Sequence, residues 1–555
     1  MTRLRGVELL AHPALNKGTA FSREERLALG LEALLPYQVE TLEQQVQRAW
    51  EAFTELADPL QQFAFATALR QSNLILFHRF LAEHIEAVLP IVYTPTVGAA
   101  IQHFSATYRT PSQGIYLAAP DQNRLRELLA QVSPDPPDLL LVTDSEGILG
   151  IGDQGIGGIH ICQGKLAVYT LCAGLHPERA LPVVLDVGTD RASLLEDPLY
   201  PGWRHRRLRG DDYDAFIAAF VASVEELFPH TFLHWEDFGT ANAQRNLDLY
   251  RQRLASFNDD IQGTSGVASA AVMAASAGLG QTLSQQRIVI FGAGTAGCGI
   301  AQRLARLLQR EGLGAEEAHR RIWLIDRQGL LHGGLSELSD VQRPFARSHG
   351  ELAAFGTAEG EPIGLEAVVR GVKPSVLIGT STVAGAFTRS VVEAMAAGVE
   401  RPILLPLSNP TPLAEIRPVD ALAWSGGRAL VATGSPFEPV PLATGVRTIG
   451  QCNNCFLFPG LGQACVAVGA RQVSEEMIDA GLGALAREIP AANDPEAPLM
   501  PGLKDVQRVS RAVAEAVAFA AVDQGLARLA SSHAEAIACL DAATWRARYR
   551  SIEAI

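Results

Sequence analysis

Apolar positions recur along this chain with two different periods, and the change from one to the other divides it. Over residues 1–80 the spacing is helical. Ser22-Arg23-Glu24-Glu25 reads as a helix N-cap, Leu27, Leu29, Leu31, Leu34 and Leu35 follow as apolar positions, and Pro36 is the stop. A second helical pattern covers 39–57 and a third covers 60–89, broken at Pro90 and the following Ile91-Val92-Tyr93-Thr94-Pro95-Thr96-Val97-Gly98. The opening is thus predicted to be a helical module.

From about Leu139 short, unbroken apolar runs take over. Residues 139–143 predict a buried strand, 155–158 a glycine turn, 166–173 a helix, 182–187 a strand, and 211–228 a helix leading into a strand that ends at Trp235. A second series has strands at 287–291, 322–326, 375–379, 402–407 and 429–432, with a helix after the first that reaches about Arg310. Strand, helix, strand in succession is the signature of a parallel α/β fold.

Length and composition narrow the class. A chain of 555 residues exceeds what one core usually supports, so two or more domains are expected. With 48% hydrophobic and 19% charged residues it suits a well-buried enzyme. A net charge of −14 argues against a nucleic-acid partner. The basic run Arg204-His205-Arg206-Arg207-Leu208-Arg209 is followed by Asp211, Asp212 and Asp214 and reads as a surface ion-pair network. Seven scattered cysteines fit a reducing cytosol, and Cys452-Asn453-Asn454-Cys455 lacks the second pair that a zinc site would need. The N-terminus shows no secretory signal. The uncharged run 263–281 is built of Gly, Ala and Ser, which suits a close-packed buried helix better than a membrane span. A cytoplasmic protein without a membrane partner is the expectation.

G-x-G-x-x-G occurs twice, and context separates the copies. Gly292, Gly294 and Gly297 follow a strand, open a helix and precede a second strand that ends in Asp326, the arrangement of a Rossmann-type dinucleotide site. Gly150, Gly152 and Gly155 enclose Asp153 and read instead as an active-site turn. The predicted organisation is a helical N-terminal module (1–80), an α/β substrate domain (81–262), a Rossmann-type dinucleotide-binding domain (263–525, core about 285–447) and a helical tail (526–555). Two carboxylate pairs follow apolar segments: Glu236-Asp237 and Asp259-Asp260. If solvated they are ordinary turn residues; if they converge, they suit a hard divalent ion such as Mg²⁺ or Mn²⁺. Lys165 is by itself either a snorkelling surface group or a poised base, Tyr93 a packed aromatic, and Asn409, Asn453 and Asn454 turn residues.

Taken together, these stretches resemble the malic enzymes, with malolactic enzymes as close relatives. The likeness runs from about Leu15 to about Gly525 and rests on Val92-Tyr93-Thr94-Pro95-Thr96-Val97-Gly98, Gly150 to Gly155, Gly164-Lys165-Leu166, Trp235-Glu236-Asp237-Phe238, Phe257 to Thr264, Leu407 to Thr411 and Asn453-Asn454. The resemblance implies that Glu236, Asp237 and Asp260 bind Mn²⁺ or Mg²⁺, that Lys165 is the general base oriented by Asp259, and that Tyr93 is the general acid. It places Asn409, Asn453 and Asn454 at the malate and nicotinamide pocket. It also implies oxidative decarboxylation of L-malate to pyruvate and CO₂, with assembly as a dimer or tetramer.

Two positions refine the expectation. Asp326 at the second strand end favours an unphosphorylated ribose, and Gln342 stands where NADP-preferring relatives place a lysine, so NAD is the expected cofactor. Gly147 stands where many malic enzymes carry an arginine that grips a substrate carboxylate, and in this it resembles the malolactic enzymes, which form lactate. The motifs around it look more like the malic enzyme side.

Overall fold

The computed structural model of the chain describes all residues except 110–113, 134, 149, 356–360 and 444. It divides into two compact units, Met1–Gly239 with Ile537–Ile555, and Thr240–Ala536.

The first unit opens with helices. Ser22 and Glu25 make the reciprocal cap, but helix Arg23–Leu29 ends at Gly30 in the left-handed conformation, well before Pro36. The cause is Arg26. Its buried guanidinium donates to the carbonyls of Phe21 (2.9 Å), Thr19 (2.7 Å), Pro36 (2.7 Å) and Gln38 (2.9 Å), so the chain must loop back around it. The third helical pattern is likewise three helices, Pro59–Ser72, Leu74–Glu83 and Ile85–Val92. Asn73 interrupts the run by accepting a hydrogen bond from the Leu76 amide and capping a new helix. The segment Ile85–Gln102 is long and apolar enough by composition to cross a membrane, yet 56% of it is buried, as in a core helix.

Strands β1 (Ile115–Ala118), β2 (Leu139–Thr143), β3 (Ala180–Asp186) and β4 (Phe232–Trp235) pair in parallel in the order β1-β3-β2-β4. Every residue of β2 and β4 is buried, which is what a parallel sheet covered by helices demands. The crossovers are helices Ile159–Ala173 and Gly210–Leu227. The last residues of the chain belong here too. Thr2 bridges Ala554, Lys17 donates to the Arg550 carbonyl, and the Tyr549 hydroxyl joins Asn73 to Gln45.

In the second unit β5 (Ser256–Asn258) leads through a π-helical turn, Asp259–Gly263, into helix Thr264–Gly278. That helix is the small-residue run, and it is almost wholly buried. Strands β6 (Ile288–Phe291), β7 (Ile322–Asp326), β8 (Gly329–Leu330), β9 (Val376–Gly379), β10 (Ile403–Pro406) and β11 (Leu430–Thr433) follow. After a hairpin of β12 (Val440–Leu442) and β13 (Gly445–Arg447) comes β14 (Gly450–Gln451). The seven-stranded sheet runs β14-β11-β10-β9-β6-β7-β8, parallel except between β7 and β8. From β6 the chain builds outward to β7 on one side and, from β9, away on the other. The carboxyl ends of β6 and β9 therefore border the crevice in which ligands of such sheets bind. The α/β expectation holds, with a helical start and a Rossmann-type half.

Candidate active site

Lys165 projects from helix Ile159–Ala173 into the interior of the first unit. Lys165 and Glu236 are 2% and 1% exposed, and the Nζ ammonium is ion-paired with Glu236 Oε2. Lys165 is thus the buried alternative, not a snorkelling surface group. A buried pair is tolerated only when further hydrogen bonds satisfy it. His234 Nε2 lies 3.1 Å from the same Glu236 oxygen, and His234 Nδ1 lies 2.8 Å from the Tyr169 hydroxyl. With its proton on Nε2, the imidazole donates to Glu236 and accepts from Tyr169, so the four side chains form one chain of hydrogen bonds. Neither His234 nor Tyr169 was singled out beforehand. The available signal was strand period two, which puts 234 and 236 on the same face.

Gly164 explains how Tyr93 comes near. A Cβ at 164 would stand 2.8 Å from the Val92 carbonyl and 3.3 Å from the Tyr93 ring. Only glycine lets the lysine helix pass so close to the buried tyrosine. Past the end of β4, Asp237 takes a left-handed φ of 53° and its carbonyl accepts from the Gly147 amide at 2.9 Å. A Cβ on Gly147 would meet the Phe238 carbonyl at 2.9 Å. Glycine at 147 is therefore a packing requirement here, and an arginine would have to displace the strand end that carries Asp237.

The loop 150–155 is held by Arg207, which is buried, contrary to its reading as part of a surface network. It forks onto Asp153 (2.8 and 3.1 Å) and donates to the Asp144 carbonyl (2.9 Å), leaving Asp211, Asp212 and Asp214 aside. Burial pushes the Asp144 carboxyl up to about 6 despite the opposing pull of Arg207. For Asp153 burial acts the same way, but the Arg207 hydrogen bonds and charge outweigh it and hold the carboxyl below its ordinary range.

In the second unit the Asp-Asp motif occupies the π-helical turn, a local distortion common at functional sites. The turn separates the neighbours: Asp259 is buried and Asp260 half-exposed. Asn454 Nδ2 donates to Asp259 Oδ2 at 2.9 Å and to Thr264 Oγ1 at 3.1 Å. A Cβ on Gly263 would lie 1.8 Å from Asp259 Oδ1, so the glycine makes room for the carboxylate. Asn453 caps the turn Asn454–Phe456 through the Cys455 amide at 3.0 Å. Asn409 accepts from the Ser435 hydroxyl.

The glycine loop divides its labour. A Cβ on Gly292 would meet Thr380 at 2.6 Å and one on Gly297 would strike the Gly292 carbonyl at 1.9 Å, whereas Gly294 faces open space. The outer glycines let backbone pack on backbone, and the middle one leaves free the N-terminal end of helix Thr295–Arg310, where a pyrophosphate fits. Asp326 ends β7 half-buried, and Gln342 donates to the Ala293 carbonyl at 2.9 Å, putting a neutral side chain beside the loop. Glu415, not anticipated from sequence, is fully buried behind it. It accepts from the Ser381 amide and hydroxyl (both 2.8 Å) and from the Ser408 hydroxyl (2.5 Å), joining the loops after β9 and β10.

The models for the malic enzyme N-terminal domain and the malic enzyme NAD-binding domain match residues 70–251 and 261–522. NAD-dependent malic enzyme 3 of Bacillus subtilis is 47% identical, covering 100% of this chain and 98% of its own length. NAD-dependent malic enzyme of Edwardsiella ictaluri is 46% identical over 98% of this chain and 96% of its own. Among solved structures, malic enzyme of Entamoeba histolytica superposes with a TM-score of 0.57 at 22% identity, covering 93% of this chain and 90% of that one. Two domain models that between them take in most of the sequence, and relatives matched end to end, leave one conclusion: the chain belongs to the malic enzyme family.

Proposed function

We infer that this chain oxidatively decarboxylates L-malate to pyruvate and CO₂ with NAD⁺. The observation that carries the reading is the buried Lys165–Glu236 pair, backed by His234 and Tyr169, on a helix whose Gly164 passes close to Tyr93. A lysine so enclosed acts as a proton acceptor in its neutral form, reached when the ammonium proton is lost to solvent before the hydroxyl proton is taken. We assign Lys165 to remove the C2 hydroxyl proton of malate, with Asp259 orienting it as the family resemblance implies. Tyr93 is assigned to protonate the carbon left by CO₂.

NAD⁺ bound over Gly294 would accept the hydride from C2, with Asp326 on its ribose and Asn409 toward the nicotinamide. Glu236 and Asp237 offer hard oxygen donors that suit Mn²⁺ or Mg²⁺, and Asp260 is the third ligand by the same resemblance. A cation there would supply Lewis-acid polarisation of the C2 oxygen and balance the charge left when CO₂ departs. Asn453 and Asn454 are assigned to the substrate side. Gln342 beside the glycine loop supports NAD over NADP, and a larger kcat/KM with NADP⁺ would refute that preference. A cytoplasmic dimer or tetramer is the proposed form.

The product decides between this activity and malolactic conversion. With malate, Mn²⁺ and NAD⁺ the enzyme should accumulate NADH and pyruvate in equal amounts. Lactate without lasting NADH would overturn the reading.

A further inference from the structure

The first unit contains a second pocket, lined mostly by apolar groups with a few polar ones, along residues 160, 163, 164 and 167 of the lysine helix. Arg70 and Thr67 enter it from helix Pro59–Ser72, and His160 and Gln163 from helix Ile159–Ala173. Phe63 and Phe77 provide apolar walls. The free interior is little larger than a water molecule, and the mouth opens outward.

Its electrostatics are unbalanced. Arg70 Nη2 donates to Gln163 Oε1 at 2.6 Å, a neutral acceptor. Its Nε–H is shut off from solvent and has no acceptor among the described residues, nor does any described carboxylate form an ion pair with the guanidinium. His160 Nδ1 approaches the same Gln163 oxygen at 3.2 Å, and the buried His78 Nδ1 likewise has no partner among the described residues. Burial, reinforced in smaller part by the Arg70 charge, pushes His160 down to about 4 and His78 down to about 3, so both rings are neutral near pH 7. Burial lowers Arg70 only to about 10, which leaves it cationic. One positive charge thus faces a pocket in which the remaining groups are neutral. A partly buried cation with an unused donor and no counter-charge beside it is costly, and an anion is the partner that removes the cost.

We propose that this pocket binds a small monovalent anion, a halide or the carboxylate head of a short acid, on the Arg70 guanidinium. Size excludes larger anions, and the fork of a guanidinium suits either a sphere or a planar carboxylate. The position gives the site a consequence. Val92 and Gly164 both line the pocket, and they are the chain neighbours of Tyr93 and Lys165. An anion that draws Arg70 from Gln163 shifts the helix turn on which Lys165 stands. That effect on turnover rests on the roles given to Lys165 and Tyr93 above, whereas the binding itself does not.

The test uses the full-length enzyme without malate or NAD⁺, at constant ionic strength maintained with sodium gluconate, which is too large to enter. Chloride binding is read from the ³⁵Cl NMR linewidth, and formate and acetate from its reversal and from the melting temperature. The expected result is saturable broadening in the wild type, reversed by formate, at least tenfold weaker in Arg70→Lys and absent in Arg70→Gln. The anion with the lowest half-saturation identifies the source. Broadening that does not saturate, or that survives in both variants, overturns the site; if an Arg70 variant fails to fold, Thr67→Phe, which fills the pocket and keeps the arginine, should lose the broadening, and broadening that survives it overturns the site equally. A melting temperature that depends on protein concentration but on no small anion would also overturn it, pointing to a carboxylate from a second copy. Malate kcat/KM should then change at least twofold across the same titration; binding without that change overturns the coupling and leaves the assignment of Lys165 intact.

Discussion

The lysine pocket of the first unit and the dinucleotide crevice of the second are made by opposite means. The first is built from charge: Lys165, Glu236, His234 and Tyr169 are buried together, each satisfying the next. The second is built from missing side chains, with glycines at 292 and 297 allowing backbones to touch and one at 294 leaving room. A site of the first kind fails by subtraction, because removing one member strands another in low dielectric. A site of the second kind fails by addition, because a single methyl group has nowhere to go.

The sharpest break of this contrast lies at the ion pair. Lys165→Ala should lower kcat by about 10³-fold, the scale of a lost general base. It should also cost about 3–5 kcal/mol of stability by taking the ammonium away from the buried Glu236 carboxylate. Combining Lys165→Met with Glu236→Gln should restore the melting temperature without restoring turnover, a dissociation visible when melting and steady-state rates are measured on the same samples. Were Lys165→Ala to turn over like the wild type, the base assignment would be wrong.

Addition is tested next. Gly297→Ala places a methyl group 1.9 Å from the Gly292 carbonyl and should both lower the melting temperature and weaken NADH binding more than about tenfold. Gly294→Ala meets no protein atom within 4 Å, so it should melt like the wild type yet bind NADH about tenfold more weakly. Fluorescence titration with NADH distinguishes the two, and unchanged binding in Gly294→Ala would remove the cofactor from this crevice.

A third variant probes where the two design rules mix, since Glu415 is a buried charge placed among the cofactor loops. Glu415→Ala should raise KM for NAD⁺ several-fold with a smaller change in kcat, as expected for a group that positions loops without touching the reactants. Glu415→Gln, which keeps the shape and part of the accepting capacity, should lie between. An effect confined to kcat would contradict the positioning role.

The smallest effect concerns pH. His160 and His78 titrate lower folded than unfolded, so the unfolded chain binds more protons between their folded values and about 6.5. Their contribution to stability is complete above about 6.5 and is lost as pH falls toward about 4. Melting temperature measured against pH should therefore decline over that window, and His160→Gln should make the decline shallower.

Much of the scaffold could be read from the chain because its strands are short apolar runs with clear ends, such as Ile288-Val289-Ile290-Phe291 running into the glycines. The glycine loop, the buried small-residue helix and the Asp-Asp turn were legible for the same reason: local chemistry alone dictates them. What stayed hidden depends on partners distant in sequence. Arg207 looks like any surface arginine until Asp153, far away in the chain, closes on it. Arg26 ends a helix by reaching carbonyls that no periodicity reveals. Glu415 follows an ordinary turn and acquires meaning only when two strand ends are brought to it.

The return of residues 545–555 to the N-terminal helices has a temporal meaning. Trp545 donates to the Gly174 carbonyl, Tyr549 ties Asn73 to Gln45, and the Ile552 amide donates to Glu25. During synthesis the first unit must wait for residues 545–555 before its opening helices gain these partners, while the unit encoded between them can already be folding. Of the two units, the one begun earlier is thus completed later.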